Sequence, residues 1–189
     1  MRATYRALCQ HGYADLTMQD IADEAPVSKS SLHYHYDSKR GLFAAFQRYI
    51  SERFFDRVRE ADDPEAPPRE RLATILDAAL SPPETDDLRD LQRTLLELQA
   101  QAPYEPQIRA HIDEFDARFR GRLAEVLGAG VESGDFRADT DPEETARFIA
   151  TVLAGNQARQ VSVGQDPETT RDLLSSHVEA HLLREGEGG

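Results

Sequence analysis

The side chains best suited to chemistry concentrate in residues 28–40, which read SKSSLHYHYDSKR. Hydroxyl, imidazole, phenol and ammonium groups donate hydrogen bonds to the phosphate oxygens and base edges of nucleic acid. Lys29 and Lys39 are the only two lysines of the chain, and Asp37 is the one carboxylate of the segment. This composition predicts contact with a polyanion.

The charge distribution supports that prediction. The chain carries a net charge of −13, yet residues 1–48 contain six basic and five acidic side chains. The remaining residues contain 16 basic and 30 acidic side chains. Because a surface that approaches phosphate cannot be strongly anionic, the first quarter of the chain is the candidate for DNA binding.

The excess of acidic residues also bears on the solvent in which the chain works. Twenty of the 22 basic residues are arginine. An acid-rich, lysine-poor chain is typical of an organism that accumulates salt, such as a halophilic archaeon, where surface carboxylates hold water and cations. The alternative is codon bias in a GC-rich genome, which replaces lysine with arginine.

Helix caps and breakers divide the segment that precedes the basic run. Apolar spacing predicts helix one over about residues 2–11, ended by Gly12 in a left-handed conformation. Thr17, followed three residues later by Asp20, predicts the N-cap of a second helix that runs to about Ala25.

Further caps organise the basic run itself. Pro26 ends the second helix, and Ser28 caps a third that ends near Tyr36. Asp37 or Ser38 then caps a long fourth helix. Two short helices joined by a tight turn form a helix-turn-helix, whose second helix enters a major groove about 12 Å wide.

The rest of the chain has the periodicity of longer helices, with no persistent strand pattern. The sequence therefore predicts an all-α fold of about nine helices: a three-helix DNA-binding domain and a C-terminal helical bundle, to which the family resemblance given below assigns regulation and dimerisation. The later helices are predicted at about 67–80, 87–101, 104–129, 141–163 and 167–183. The predicted domains are 1–48, which includes the start of helix four, 49–185 for ligand sensing and dimerisation, and a flexible tail at 186–189.

Specific residues of the first 50 positions resemble a known family. They are Gly12-Tyr13, Leu16-Thr17-Met18, Asp20-Ile21-Ala22, Val27-Ser28-Lys29, Leu32, Tyr36, Ser38-Lys39 and Leu42. Taken together they are similar to the N-terminal domain of TetR-family regulators. The resemblance implies a homodimeric repressor that leaves a near-palindromic operator when a small molecule binds the second domain. It also implies a dimer face on the last two helices, about 141–163 and 167–183.

The resemblance further implies a set of DNA contacts. They are Thr17, Ser28, Lys29, Ser30, Ser31, His33, Tyr34, His35 and Lys39. Thr17, His35 and Lys39 resemble residues that position phosphate. Lys29, Ser31, His33 and Tyr34 are expected at base edges.

The resemblance also implies an effector pocket among the helices that follow the long fourth helix. Polar groups on otherwise apolar faces are the better candidates, because a buried polar group needs a partner. The alternative for each candidate is ordinary core or interface packing. The candidates are Phe46, Tyr49, Phe55, Gln92, Leu96, Gln99, Tyr104, His111, Phe115, Phe148 and Asn156.

Other kinds of function find no support in the sequence. There is no nucleophile motif, phosphate loop or Cys/His cluster, so we expect no enzyme activity, cofactor or metal. His177 and His181 have the spacing of a metal pair but are expected on a solvent or dimer face. The acidic pair Asp62–Asp63 is expected in a solvated loop. No apolar run is long enough to span a membrane, which with the lone Cys9 favours the cytoplasm.

Two alternative functions stay open at this point. The first is a DNA-binding regulator that is constitutive or controlled by another protein rather than by a small ligand. The second is a dimeric ligand-binding or scaffold protein that has lost DNA binding.

Overall fold

A computed structural model of the chain describes residues 1–25, 29–81 and 86–183. Within these residues the fold is all-α, as predicted. The helices are α1 (Arg2–Asp15), α2 (Met18–Asp23), α3 (Lys29–His35), α4 (Lys39–Ala61), α5 (Pro68–Leu80), α6 (Asp86–Ala100), α7 (Pro106–Ser133), α8 (Pro142–Val163) and α9 (Pro167–His177). A π-helical turn, Val178–Leu182, continues α9.

The chain forms two compact units. Unit 1 comprises Met1–Phe54 and Pro83–Glu114, so α6 and the start of α7 belong with the first three helices. Unit 2 comprises Phe55–Pro82 and Phe115–Gly189. The functional boundary at residue 48 stays a prediction, and the predicted tail at 186–189 lies outside the described residues.

The core of unit 1 fixes the three short helices against α4 and α6. Leu8, Ile21, Phe43 and Phe46 are at most 1% exposed and belong to one apolar cluster. Burying such a side chain contributes roughly 1.5–3 kcal/mol. Helix α6 packs on α1, and α2 packs on both α1 and α3. The helices predicted to bind DNA therefore pack partly on a helix from much later in the chain.

The local predictions for the first two helices hold, with one difference. The hydroxyl of Thr17 accepts a hydrogen bond from the backbone N–H of Asp20, and the Asp20 carboxylate accepts one from the Thr17 N–H at 2.7 Å. This capping box confirms the predicted start of α2. Gly12 has a positive φ of 68°, but α1 resumes after this kink and ends at Asp15 rather than His11. The breaker Pro26 and the cap Ser28 lie outside the described residues.

The prediction that α7 ends near residue 129 is wrong. The helix continues through Gly128 and Gly130 to Ser133. The backbone N–H of Phe136 then donates to the Gly130 carbonyl at 2.9 Å, and the Phe136 ring lies directly over Gly130. The glycine therefore serves close packing of a returning aromatic ring rather than helix termination.

A substitution pair tests this interpretation. Gly130→Ala would place its methyl group inside the Phe136 ring, which is 1% exposed and cannot swing into solvent. We expect a loss of about 1–3 kcal/mol in the free energy of unfolding, measured by urea titration. Gly128→Ala is the control, because no atom lies within 4 Å of its Cβ position. Its expected effect is a gain of up to about 1 kcal/mol; equal effects at both positions would contradict the packing argument.

A buried ion network organises unit 2. The carboxylate of Asp62 is wholly inaccessible to solvent and accepts a hydrogen bond from Arg71 Nε at 2.9 Å. Arg122 approaches the same carboxylate from α7 and also pairs with Glu125. Hydrogen bonding from Arg71, and then from Arg122, holds the pKa of Asp62 below its ordinary value. The expectation that Asp62 lies in a solvated loop is therefore wrong.

Candidate nucleic-acid interface

Helix α3 is anchored by its apolar side. Leu32 and Tyr36, four residues apart, pack against the core of unit 1. Because residues at this spacing share one face of a helix, the pair fixes which side of α3 is left for solvent. Ser31 is half-buried beside this face.

The opposite side of α3 carries a row of exposed polar and aromatic groups. Ser30, His33, Tyr34 and His35 are all exposed. The Tyr34 side chain is 85% exposed, and its ring meets that of His35 edge to face at 5.3 Å between centroids. A large phenol held in water by a rigid helix has no role in the core. It is available to contact the bases or backbone of a nucleic acid.

The ammonium of Lys39 lies at the start of α4. Its Nζ lies 5.9 Å from the centroid of the Phe43 ring, a cation–π arrangement one turn along the helix. Desolvation lowers the pKa of Lys39, while the charges of Asp15 and Asp20 act in the opposite direction. Ser38 caps the helix by accepting a hydrogen bond from the Gly41 N–H at 3.2 Å, as predicted. The contact with the Phe43 ring therefore restricts the position of the Lys39 ammonium.

Two further features lie close to the exposed residues of α3 in the sequence, one at the start of α2 and one at its end. Thr17 is exposed at the start of α2, although its hydroxyl is already used in the capping box. Arg6 of α1 donates through Nε to the Glu24 carboxylate at 2.8 Å and through Nη2 to the Glu24 carbonyl at 2.6 Å. This brace fastens the end of α2 immediately before the turn. Sequence analysis missed it, because Arg6 and Glu24 are 18 residues apart.

Two predicted contacts lie outside what the structure describes, namely Ser28 and the side chain of Lys29. The structure leaves Ser30, His33, Tyr34 and His35 exposed on α3, and it brings the rings of Tyr34 and His35 into contact. The role of each residue toward DNA stays a prediction.

The predicted effector residues of unit 1 fall into different environments. Phe46 is fully buried in the core cluster. Tyr49 is half-buried, with the Arg53 guanidinium carbon 5.8 Å from its ring centroid. His111 is half-buried and hydrogen-bonds Ser51. Four further candidates are on α6 or just after it: Gln92 and Leu96, which are half-buried, and Gln99 and Tyr104, which are exposed.

The predicted effector residues of unit 2 have partners of their own. Phe115 lies 5.2 Å from Phe55 between ring centroids, and Arg118 lies over the Phe55 ring. Asn156 is 4% exposed and accepts a hydrogen bond from Thr170 at 2.7 Å, between α8 and α9. These contacts favour packing for Asn156, though no observation tests its role toward a ligand. Phe148 of α8 is 44% exposed.

Unit 1 contains a polar cluster that sequence analysis found only in part. Ser51 Oγ and His111 Nε2 lie 2.9 Å apart, between α4 and α7. Gln47, one turn before Ser51, is 5% exposed, and its Oε1 atom is buried with no hydrogen-bond partner among the residues that the structure describes. Burial lowers the pKa of His111, although the charge of Glu114 and a hydrogen bond to the Gln47 backbone act in the opposite direction. Gln47, a polar residue among the apolar residues of α4 that pack inward, was the feature of the sequence that could have indicated this cluster.

None of the helices in residues 1–25, 29–81 and 86–183 is long and apolar enough to cross a membrane. In that same part of the chain, no group of three or more His, Cys, Asp or Glu side chains could hold a metal ion.

Comparison with known proteins decides the family. Residues 1–46 match the family described as bacterial regulatory proteins, tetR family. Residues 68–183 match the family described as BetI-type transcriptional repressor, C-terminal. The chain belongs to the TetR family.

Two solved structures match almost the whole chain, and a relative known by sequence matches about three quarters of it. A TetR transcription regulator from Haloarcula marismortui is 38% identical, with a TM-score of 0.88 over 96% of this chain and 95% of that one. A putative transcriptional regulator from Saccharomonospora viridis, solved in complex with choline, is 25% identical, with a TM-score of 0.84 over 97% and 95%. The repressor KstR2 of Mycobacterium tuberculosis is 29% identical over 140 residues, or 74% of this chain and 68% of that protein.

Proposed function

We propose that this TetR-family protein is a sequence-specific DNA-binding repressor that acts in the cytoplasm as a homodimer. The observation that carries the proposal is the outward row on α3, with Tyr34 85% exposed and Leu32 and Tyr36 packed inward. Two such helices in a dimer would enter successive major grooves about 34–36 Å apart and read a near-palindromic site.

Selection of genomic DNA fragments by the purified protein tests this function. The recovered sites would be measured by fluorescence anisotropy against a mixed-sequence duplex of the same length. Recovery of a near-palindromic site that binds far more tightly than the mixed duplex is expected. Recovery of no site would favour the scaffold function over the repressor.

The proposed dimer face is supported by apolar groups on the last two helices. Phe148 of α8 is 44% exposed, and Leu173 of α9 is 66% exposed. The Phe148 ring lies 4.8 Å from that of His177, which in turn lies 4.7 Å from His181. A contiguous apolar and aromatic surface of this kind favours a protein contact rather than solvent. Light scattering of the purified protein would show whether it is a dimer.

We place the effector at the polar cluster of Gln47, Ser51 and His111. A buried carbonyl oxygen without a partner costs free energy, and a ligand hydroxyl or amide that donates to Gln47 would recover it. Since burial lowers the pKa of His111, the imidazole is neutral near pH 7 and would not repel a cationic ligand. The cluster lies on α4, the helix whose first residue is Lys39.

Choline, the ligand of the Saccharomonospora protein, is the first compound to test. We expect it to raise the melting temperature and to release the selected operator in the anisotropy assay. Gln47→Leu removes the buried acceptor with little change in volume and is expected to abolish both responses. Gln107→Leu, at an exposed position of α7 that is not among the effector candidates, is the control and should respond like the wild type. Retention of the response in Gln47→Leu would contradict the assignment of the site.

Ligand-independent regulation is the main alternative within the same family. It would be favoured if the operator bound tightly and neither choline nor a broader metabolite panel released it. The composition of the chain suggests an organism that accumulates salt, and the 38% identity to a protein from Haloarcula supports this proposal. It is tested by the salt concentration at which the protein is most stable.

A further inference from the structure

The ion pair between Arg40 and Glu105 joins the start of α4 to the start of α7. Arg40 Nη2 and Glu105 Oε1 lie 3.1 Å apart. Arg40 follows Lys39 directly, and its side chain is 70% exposed, whereas the side chain of Glu105 is 22% exposed. The arginine is thus the accessible member of the pair and the glutamate the sheltered one.

The carboxylate has a rigid support. The backbone of Glu105 is hydrogen-bonded on both sides. Its N–H donates to the Gln101 carbonyl at 3.0 Å, and its carbonyl accepts a hydrogen bond from the Arg109 N–H at 3.1 Å. It lines a narrow crevice together with Phe43 and Ile108, both of which are buried. Low local exposure strengthens a charge pair relative to one in open water.

We propose that Arg40 is a DNA phosphate contact that was not among the predicted ones, and that Glu105 competes with DNA for its guanidinium. This inference rests on the proposed function. Arg40 contacts Glu105 through Nη2, and the carboxylate both occupies part of the guanidinium and offsets its positive charge. A phosphate that binds through two N–H groups of Arg40 must therefore compete with Glu105 for that charge and for the Nη2 donor. Because Glu105 lies six residues before His111, a ligand at the polar cluster that displaced the start of α7 would also change the availability of Arg40.

Removal of the competing carboxylate gives the sharpest test. Glu105→Gln keeps the shape of the side chain and frees the guanidinium. With a fluorescein-labelled mixed-sequence duplex, we expect Glu105→Gln to raise the affinity about three- to tenfold at low salt. Between about 50 and 200 mM KCl, the log–log slope of affinity against salt should become steeper by about 0.9 for each protomer that engages.

Two further variants separate this mechanism from a general effect of charge. Asp113→Asn removes one negative charge from the same helix, at an exposed residue 3.9 Å from Arg109 rather than at Arg40. It should leave the salt slope unchanged. Removal of a negative charge by itself should raise the affinity for DNA slightly, as Asp113→Asn would show. In the Arg40→Gln background, Glu105→Gln should raise the affinity by no more than this, because the Arg40 guanidinium is absent.

The outcomes distinguish the two proposals. If Glu105→Gln and Asp113→Asn raise the affinity equally, or if the gain persists without Arg40, the competition is overturned. If the wild type binds neither the mixed duplex nor any selected site, the proposed DNA-binding function itself fails. If the pair is only structural, Glu105→Gln will lower the melting temperature without any gain in affinity, which also overturns the inference.

Discussion

Replacement of both lysines, Lys29 and Lys39, by alanine is expected to weaken operator binding by at least about 1,000-fold, since about 1.4 kcal/mol corresponds to a tenfold change. Each charged contact to a base edge or phosphate contributes roughly 1–3 kcal/mol, and a dimer loses every contact twice. Fluorescence anisotropy on the selected operator measures the loss. The expected effect is large because these are the only lysines in a chain whose net charge is −13.

The single variants separate two kinds of contact. Lys39→Ala should weaken the operator and a mixed-sequence duplex alike and reduce the salt slope by about 1 per contact, as for a phosphate contact. Lys29→Ala should weaken the operator selectively, as for a base-edge contact.

The control is Arg93→Ala with Arg109→Ala, which removes two positive charges from exposed ion pairs on α6 and α7. We expect it to change affinity only slightly. A double lysine variant that binds like the wild type would show that the assigned contacts are wrong.

Asp62→Asn is expected to cause the largest loss of stability, about 3–5 kcal/mol. The substitution keeps the shape of the side chain but leaves the guanidinium of Arg71, only 10% exposed, without its counter-charge. For a chain of this length the melting temperature should fall by roughly 10 °C. Urea and thermal unfolding at one fixed protomer concentration measure the change.

Two comparisons test the cause of that loss. Asp56→Asn, on α4 six residues before Asp62, breaks an exposed pair with Arg59 and should change stability by less than about 0.5 kcal/mol. Asp62→Leu combined with Arg71→Met should recover much of the loss, because apolar groups can replace a buried pair. A similar loss in Asp56→Asn, or no recovery in the double variant, would contradict the role assigned to the buried charge.

The pH dependence gives an independent check. The folded pKa of Asp62 is below its unfolded value of about 3.9. The stabilisation is therefore complete above that value and is lost as the pH falls through the folded pKa. The stability difference between wild type and Asp62→Asn should be constant from neutral pH down to about pH 5 and shrink below about pH 4.

The sequence by itself determined the class of fold and the position of the DNA-binding helices. These properties follow from local signals, namely helical periodicity and caps formed within three or four residues. The capping box of Thr17 and Asp20 is an example, and so is the inward placement of Leu32 on α3. The neutral charge of residues 1–48 added an electrostatic reason to expect DNA there.

The tertiary structure decided the features that depend on partners distant along the chain. The helix predicted over 104–129 was expected to end at about residue 129, but α7 passes through Gly128 and Gly130 to Ser133, and the Phe136 ring packs over Gly130. Asp62 resembled a solvated loop residue, but Arg122 reaches its carboxylate from 60 residues away.

The candidate effector site shows the same division. His111 was visible as a polar group on an apolar helix face, but its hydrogen bond to Ser51 also spans 60 residues. A local pattern records which side of a helix is apolar. It does not record which distant charge, ring or hydroxyl the fold brings against that side, since that is decided only when the helices pack.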